Sequence, residues 1–565
     1  MISEAFLWPD HQEVMLEYYR TWDSRSCMKR LKDFFSGPLN KDYLQAAENM
    51  IRDRLYSFPP FGVFPYKNSI DWYGDASTQR SFLRLLHGHF ILNDLIKAYR
   101  QTKDLHYLHT GYEMIQDWIL KNPFDNPANP MAWHDETTAR RLINWIAFFD
   151  TARTSLPDQT LGYWFNHVKD HADRLSTPGF YVQNTNHGMF QDQALIVFGD
   201  YFSSLKGSRA LKDLARSRLK NYFNVILSSE GVHLEHSPGY HELIARKLLT
   251  YGSYFKQQND SLGEFFLEKY QQASQFATHI IKPDGLLPQI GDTQQVKPSS
   301  KLWREDPCYT YAISQGKKGS PPIENDIVFP EAGYAIFREN WTEKEQGTYV
   351  LFIASYHTSY HKHGDDLSVW IYTRGGDVLI EAGPYGYNYQ DSRTQYGYSS
   401  FAHNALLVDH RSLPRTDGKY SAVQVTDFKI TPDKSWVTGI NKRYHDVIHT
   451  RKLEYDKLNA QIKVTDKISS RVEHEYTLLW HLAPDIEALL SNPNQVILNR
   501  KNTPIMKIRV TGNPKCSISK VKGRRHPYLL GWTFKELGRE EPIETLIFNF
   551  KGKSALINTE FIFSK

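Results

Sequence analysis

The chain is poor in cysteine. Cys27, Cys308 and Cys516 are its three, and they lie far apart. That spacing gives neither a disulfide framework nor a thiolate zinc site. It also lacks any run of basic residues: 68 Lys and Arg stand against 63 Asp and Glu, a net charge of only +5. There is thus no electrostatic case for a nucleic-acid partner, although a mildly basic surface suits an anionic small molecule or glycan. No apolar run is long enough to span a bilayer. The stretch Met1–Asp10 has neither the basic start nor the apolar core of a signal peptide. As written, the sequence is expected to be soluble and cytoplasmic, or periplasmic or secreted if a leader has been removed.

What the chain does have is length and rings. Its 565 residues are too many for one ordinary core and imply two or three domains. Hydrophobic residues at 40% and charged residues at 23% are globular values. Aromatics reach 14%, with 34 Tyr and 13 Trp. Rings with a polar tip are common where sugars stack, and they also fill cores.

Apolar spacing divides the chain in two. Residues 82–99, 107–120, 138–149, 189–198, 210–227, 242–255 and 262–281 carry helical periodicity, and short polar or Gly/Pro loops between them suggest stacked antiparallel helix pairs. A Ser-, Gly- and Pro-rich stretch between about Lys297 and Pro330 reads as a linker. Beyond it come short β-rich runs at 349–354, 368–372, 378–381, 405–408, 447–455, 460–464, 476–482, 508–510 and 545–550, the pattern of an antiparallel sandwich. The expected domains are a helical one over 1–322 and a β one over 323–565.

Five stretches could carry chemistry. In Tyr360-His361-Lys362-His363-Gly364-Asp365, an extended backbone would put His361, His363 and Asp365 on one face. Two imidazoles and a carboxylate in a row are costly to bury without a task, which favours a site over a hydrogen-bonded histidine pair at a sheet edge. Asn184-Thr185-Asn186-His187-Gly188 precedes an apolar helix; it is either a cap and turn or a pair of donors poised to grip an anion. Glu235-His236-Ser237-Pro238-Gly239-Tyr240-His241 is a turn entering a helix, which would display Tyr240 and His241 at its start. Trp133-His134-Asp135-Glu136 opens another helix that carries Arg140 and Arg141. One of these arginines must lean towards the core, where it needs an anionic partner, from a substrate or an internal Glu. Tyr385, Tyr387, Tyr389, Arg393, Tyr396 and Ala402-His403-Asn404 follow the second β-run.

Taken in order, Asn186-His187, Glu235-x-Ser237-Pro238-x-Tyr240-His241, His361-x-His363-x-Asp365-x-x-Ser368, Gly376 through Gly383 and Ala402-His403-Asn404 resemble the heparinase II/III-like polysaccharide lyases. The match runs from about Trp72 to Val408. The resemblance implies an incomplete (α/α) toroid followed by an antiparallel β-sandwich, with a cleft between the domains. It implies β-elimination on a uronate-containing glycan, with heparan sulfate, alginate, hyaluronan or chondroitin, and bacterial exopolysaccharide all open as substrates. Carried over residue by residue, Asn186, His187, Tyr240 and His361 are catalytic. Arg141, Trp133, His241, Tyr387, Arg393 and Tyr396 are assigned to substrate binding. His363, Glu381 and His403 match positions that hold a structural metal in some members, where the carboxylate is often Asp and here is Glu381. Two histidines and a carboxylate suit Zn²⁺. No organic cofactor is implied, and a homodimer is compatible with the sequence. Three other readings stay open at this point: a glycoside hydrolase on an (α/α) scaffold, which needs two opposed carboxylates, a non-catalytic glycan-binding protein, and a zinc hydrolase built on His361, His363 and Asp365.

Overall fold

A computed structural model describes residues 12–59, 61–67, 69–74 and 79–564. Helices dominate up to Ile313 and strands from Ile327 onwards. The chain divides into two compact units. The first comprises residues 1–225 and 254–262. The second comprises 226–253 and 263–565, so the division passes through the helix Pro238–Lys256.

In the first unit the expected helices lie at His106–Lys121, Asp135–Ala152, Asn186–Tyr201 and Ser208–Val225. The run expected over 82–99 is two helices, Arg80–His87 and Leu92–Thr102. They break where His89 takes a left-handed φ of 55°, a conformation no helix interior allows. The helix Asp158–Ser176 has only a diluted apolar stripe and was not anticipated. Its Leu161, Trp164, Phe165, Val168, Ala172 and Leu175 are buried at helical spacing.

The second unit holds two large antiparallel sheets and a two-stranded pairing of Trp532–Thr533 with Glu541–Pro542. One is a five-stranded meander, Ile327–Phe329, Tyr334–Arg338, Tyr349–Ile353, Ser368–Thr373 and Gly376–Leu379. The other has ten strands and is centred on two long ones, Gln461–His481 and Glu544–Phe563. The runs at 460–464 and 476–482, expected as separate strands, are the two ends of the first of these, which shifts register between Ser469 and His474. Gly439 lets the sheets meet: a Cβ there would come within 2.7 Å of Leu367 and 2.9 Å of Phe352. The expected linker contains a helix, Pro307–Ile313, capped by Asp306.

Both units bury neutral histidines. Burial pushes His87 and His279 down to about 3 and His241 to about 4. Their unfolded value is about 6.5, so the unfolded chain takes up protons first as pH falls. The stability these groups support is complete above that value and is lost on acidification towards pH 4–3. The melting temperature measured from pH 7.5 to 4.5 should therefore fall steadily, each such histidine withdrawing up to about 1.4 kcal/mol per pH unit. A flat profile would contradict their burial as neutral rings.

Candidate active site

In the second unit, Ser237-Pro238-Gly239 turns into the helix that starts at Pro238. Thr293 fixes this turn: its Oγ1 lies 2.7 Å from Ser237 Oγ and accepts from the Gly239 amide at 3.1 Å. Tyr240 is thereby presented half-buried at the first turn. Its ring stacks on His361, with centroids 3.6 Å apart and planes at 24°.

His361 does not lie on a strand. The strand begins only at Ser368, and His361 takes φ 53°, a left-handed conformation that costs a non-glycine residue on the order of 1 kcal/mol or more. The expected face of His361, His363 and Asp365 is therefore absent. His361 and His363 converge by another route, through Asp292. Asp292 Oδ2 lies 2.6 Å from His361 Nδ1, and Oδ1 lies 3.0 Å from His363 Nε2. Asp365 turns away to pair with the buried Lys362, which also meets Asp366 at 2.8 Å.

Asp292 escaped the sequence reading, since a lone Asp in Gln289-Ile290-Gly291-Asp292-Thr293 carries no motif. Gly291 was the available signal. It has φ 52°, and a Cβ would sit 2.3 Å from His236 O, so only glycine brings this loop against the Glu235–Tyr240 turn. Burial alone would raise the Asp292 carboxyl, but hydrogen bonds from His361 and His363 outweigh it and hold the group far below the usual carboxylate range. On the other side of His361, Nε2 lies 3.4 Å from Glu235 Oε2. Tyr387, half exposed, hydrogen-bonds Tyr240, and burial with nearby negative charge raises its hydroxyl pKa.

Of the expected metal ligands, Glu381 and His403 pair with each other, while His363 is held by Asp292. Glu381 accepts from Ser368 Oγ on one oxygen and pairs with His403 Nδ1 through the other. His403 Nε2 meets Gly397 O at 3.1 Å. Burial would lower the His403 pKa, yet Glu381 reverses this and raises it. His363 Nδ1 is buried with no hydrogen-bond partner. Donor types and burial suit a divalent cation, but both nitrogens of His403 are engaged with protein groups and the ligand atoms of the three residues do not all approach within 4.8 Å of one another.

In the first unit, Thr185 and not Asn186 caps the helix Asn186–Tyr201, accepting from the Gly188 amide at 3.1 Å. Asn186 and His187 stand in its first turn, both half-buried. His187 Nδ1 and His134 Nδ1 each lie 2.9 Å from Asp135 Oδ1, and the Asp135 hydrogen bond raises the His187 pKa. Among the described residues, His134, Asp135 and His187 are the group whose ligand atoms all approach within 4.8 Å. Arg80 Nη2 lies 3.3 Å from His134 Nε2, so the free edge of that group faces a cation.

Several expected substrate contacts are placed differently. Arg141 is fully buried. It donates to His87 O at 2.8 Å, Ala132 O at 2.7 Å and His171 Nε2 at 2.8 Å, and its guanidinium lies 3.8 Å from the Trp118 ring centroid. Carbonyls and ring faces thus replace the anion that the sequence led us to expect. His241 is a core residue bonded to Ala273 O at 3.0 Å. Tyr396 packs with Ala382, Ala402, Trp532 and Phe534. Arg393 forms a two-point pair with Asp391 at 2.9 and 2.7 Å and keeps 37% of its side chain exposed. Trp133 is half-buried and donates to Asn122 O at 2.9 Å.

The sequence profile of the heparinase II/III N-terminus matches residues 8–305, and that of the heparinase II/III-like C-terminal region matches 321–559. The chain belongs to the heparinase II/III-like family. It is 22% identical over 449 residues to a heparin-sulfate lyase of Bacteroides stercoris, covering 72% of this chain and 66% of that protein. A heparin-sulfate lyase of Bacteroides thetaiotaomicron is 22% identical over 433 residues, covering 67% of this chain and 58% of that one. The chain thus spans slightly less than two thirds of the length of the first relative and under three fifths of the second. Among solved structures, a heparinase III superposes with a TM-score of 0.77 at 16% identity, covering 98% of this chain and 89% of that one. The heparan sulfate lyase HepC of Pedobacter heparinus gives 0.71 at 17%, with the same coverage. These likenesses establish the fold: an incomplete (α/α) toroid followed by antiparallel sheets. Among the described residues no helix is long and apolar enough to cross a membrane.

Proposed function

We propose that the protein is a polysaccharide lyase that cleaves a uronate-containing glycan by β-elimination, leaving a 4,5-unsaturated uronate. Heparan sulfate is the first substrate to test, because both curated relatives are named heparin-sulfate lyases. The observation that carries the reading is the stack of Tyr240 on His361, with His361 Nδ1 held by Asp292.

β-Elimination must remove the weakly acidic C5 proton, spread the charge of the resulting enolate and protonate the departing O4. Asp292 accepts the Nδ1 proton of His361 and so leaves the lone pair on Nε2. Nε2 then takes the C5 proton, and Glu235 at 3.4 Å stabilises the imidazolium that forms. Tyr240 gives its hydroxyl proton to O4. For the opposite C5 epimer, Tyr240 takes both roles. Asn186 and His187 are assigned to the enolate on the family resemblance. Asp135 favours a protonated His187, a stronger donor to developing negative charge. The deciding assay is absorbance of the conjugated double bond. Reducing ends without absorbance would indicate a hydrolase, and binding without either a lectin-like protein.

A structural divalent cation at His363, Glu381 and His403 belongs to the same proposal, with Zn²⁺ the metal suited to these donors. It would hold the loop that carries His361 and takes no part in the proton transfers. Metal analysis of the purified protein should find about one equivalent. Its verified removal should lower the melting temperature. Absence of metal from protein grown with zinc would remove this part.

A further inference from the structure

The first unit contains a cavity of about 590 Å³, within the ~300–1,000 Å³ range of small-molecule sites. It lies where the C-terminal ends of the helices His106–Lys121 and Asp158–Ser176 meet the short turn Pro130–Trp133. We propose that it is a saccharide subsite, holding a pyranose ring of a uronate glycan against Trp133 and Phe124 with its carboxylate towards Arg174. The ligand class rests on the lyase reading above; the cavity does not.

Three features make it a built site. Trp133 and Phe124 present two rings edge to face, with centroids 5.4 Å apart and planes at 76°. Phe124, in the turn that follows the helix His106–Lys121, is 39% exposed and so leaves a ring face open to a ligand. Arg174 lies 3.2 Å over Phe124 and, among the described residues, forms no ion pair. A half-buried guanidinium stacked on a ring keeps its donors in a fixed fork, the geometry that matches a carboxylate or sulfate. Asn122 lines the same cavity and is buried. Its Nδ2 donates to Trp118 O at 3.1 Å, while its Oδ1 has no hydrogen-bond partner. A buried acceptor left open is uncommon, and a sugar hydroxyl is a donor of the right kind. Asp170 and Asp173 also line the cavity, Asp173 paired with Lys169 at 2.8 Å and Asp170 set 3.6 Å from His167, so the flat rings, the Arg174 guanidinium and the neutral acceptor are what is left to meet the apolar face, carboxylate and hydroxyls of an oxidised sugar.

The test is calorimetric titration of the full-length Tyr240→Phe protein, which should consume its ligand at least about a hundredfold more slowly than the parent, with octasaccharides of heparan sulfate, hyaluronan and alginate. Phe124→Ala and Arg174→Ala, added singly, should each weaken the tightest of these by about tenfold. Phe428→Ala, at another exposed ring, should leave it unchanged. Equal binding by all four proteins, or no saturable binding of any probe, overturns the subsite. Loss of binding in the two variants, from a parent chain that produces no ultraviolet absorbance with any of the glycans, would keep the subsite and sink the lyase reading. Cleavage by a protein whose binding ignores Phe124 and Arg174 would do the reverse.

Discussion

Replacing Tyr240 by Phe should lower the rate of absorbance increase by about 10²–10⁴-fold, the usual contribution of one positioned acid or base, while the melting temperature stays close to that of the parent. The two halves of this result have separate causes. The ring makes the packing contact, lying flat on His361 at 3.6 Å, and Phe retains it. The hydroxyl is what the substitution removes, and with it the proton destined for O4. Tyr387 loses a hydrogen-bond partner, but it is half exposed and water can replace the bond. The loss should fall in kcat, since the proton moves only in the transition state. A Phe variant with full kcat would remove Tyr240 from the chemistry. A Phe variant that unfolds would mean that its hydroxyl is structural.

Asp292→Asn should be nearly as damaging. The carboxylate takes a hydrogen bond from each of two imidazoles, at 2.6 and 3.0 Å. An amide can accept from only one and presents its NH₂ to the other. Either His361 loses its orientation or it is held in the wrong tautomer, with the proton on Nε2 and no lone pair for C5. We expect a fall in kcat of about 10²-fold or more, with circular dichroism unchanged. Asp292→Ala should add a loss of stability of about 1–3 kcal/mol for each imidazole N–H left without its acceptor. If Asp292→Asn retains full activity, His361 does not depend on this contact. The comparison with Tyr240→Phe is informative: a double variant no slower than the slower single one would show that the two residues act as a unit.

How much of this was legible in the sequence follows from how local each signal is. Helices such as His106–Lys121 and Leu262–Ile280 were readable nearly to the residue, because one buried stripe imposes its period on consecutive residues. The break at His89 was not, because the apolar pattern runs through it and only the backbone turns. Tyr240, His361 and the Glu235 motif could be found because they are close in sequence to turns with strong chemistry. Asp292 could not, because its partners lie about 70 residues away and its own neighbours say nothing. Arg141 shows the opposite failure. The sequence correctly demanded a partner for a core-facing guanidinium, but could not reveal that carbonyls, ring faces and a neutral His171 would supply it. The strand expected at His361–Asp365 failed for a related reason: alternation of charged residues looks the same in a strand and in a loop whose side chains radiate to separate partners.

Asn404 joins both sheets of the second unit. Its side-chain amide donates to Val369 O at 2.8 Å and Ile380 O at 2.9 Å, and its carbonyl accepts from the His481 amide at 2.7 Å. Ser368 and Glu381 flank these contacts, and His363 belongs to the loop that enters the same strand. The site loops are therefore tied to the middle of the sandwich and not to its margin, which lies at strands such as the largely exposed Val423–Lys429. Heating should peel the margin first and leave the proton-transfer groups in register. Activity should then outlast fraying of the margin and be lost only when the centre of the sandwich opens.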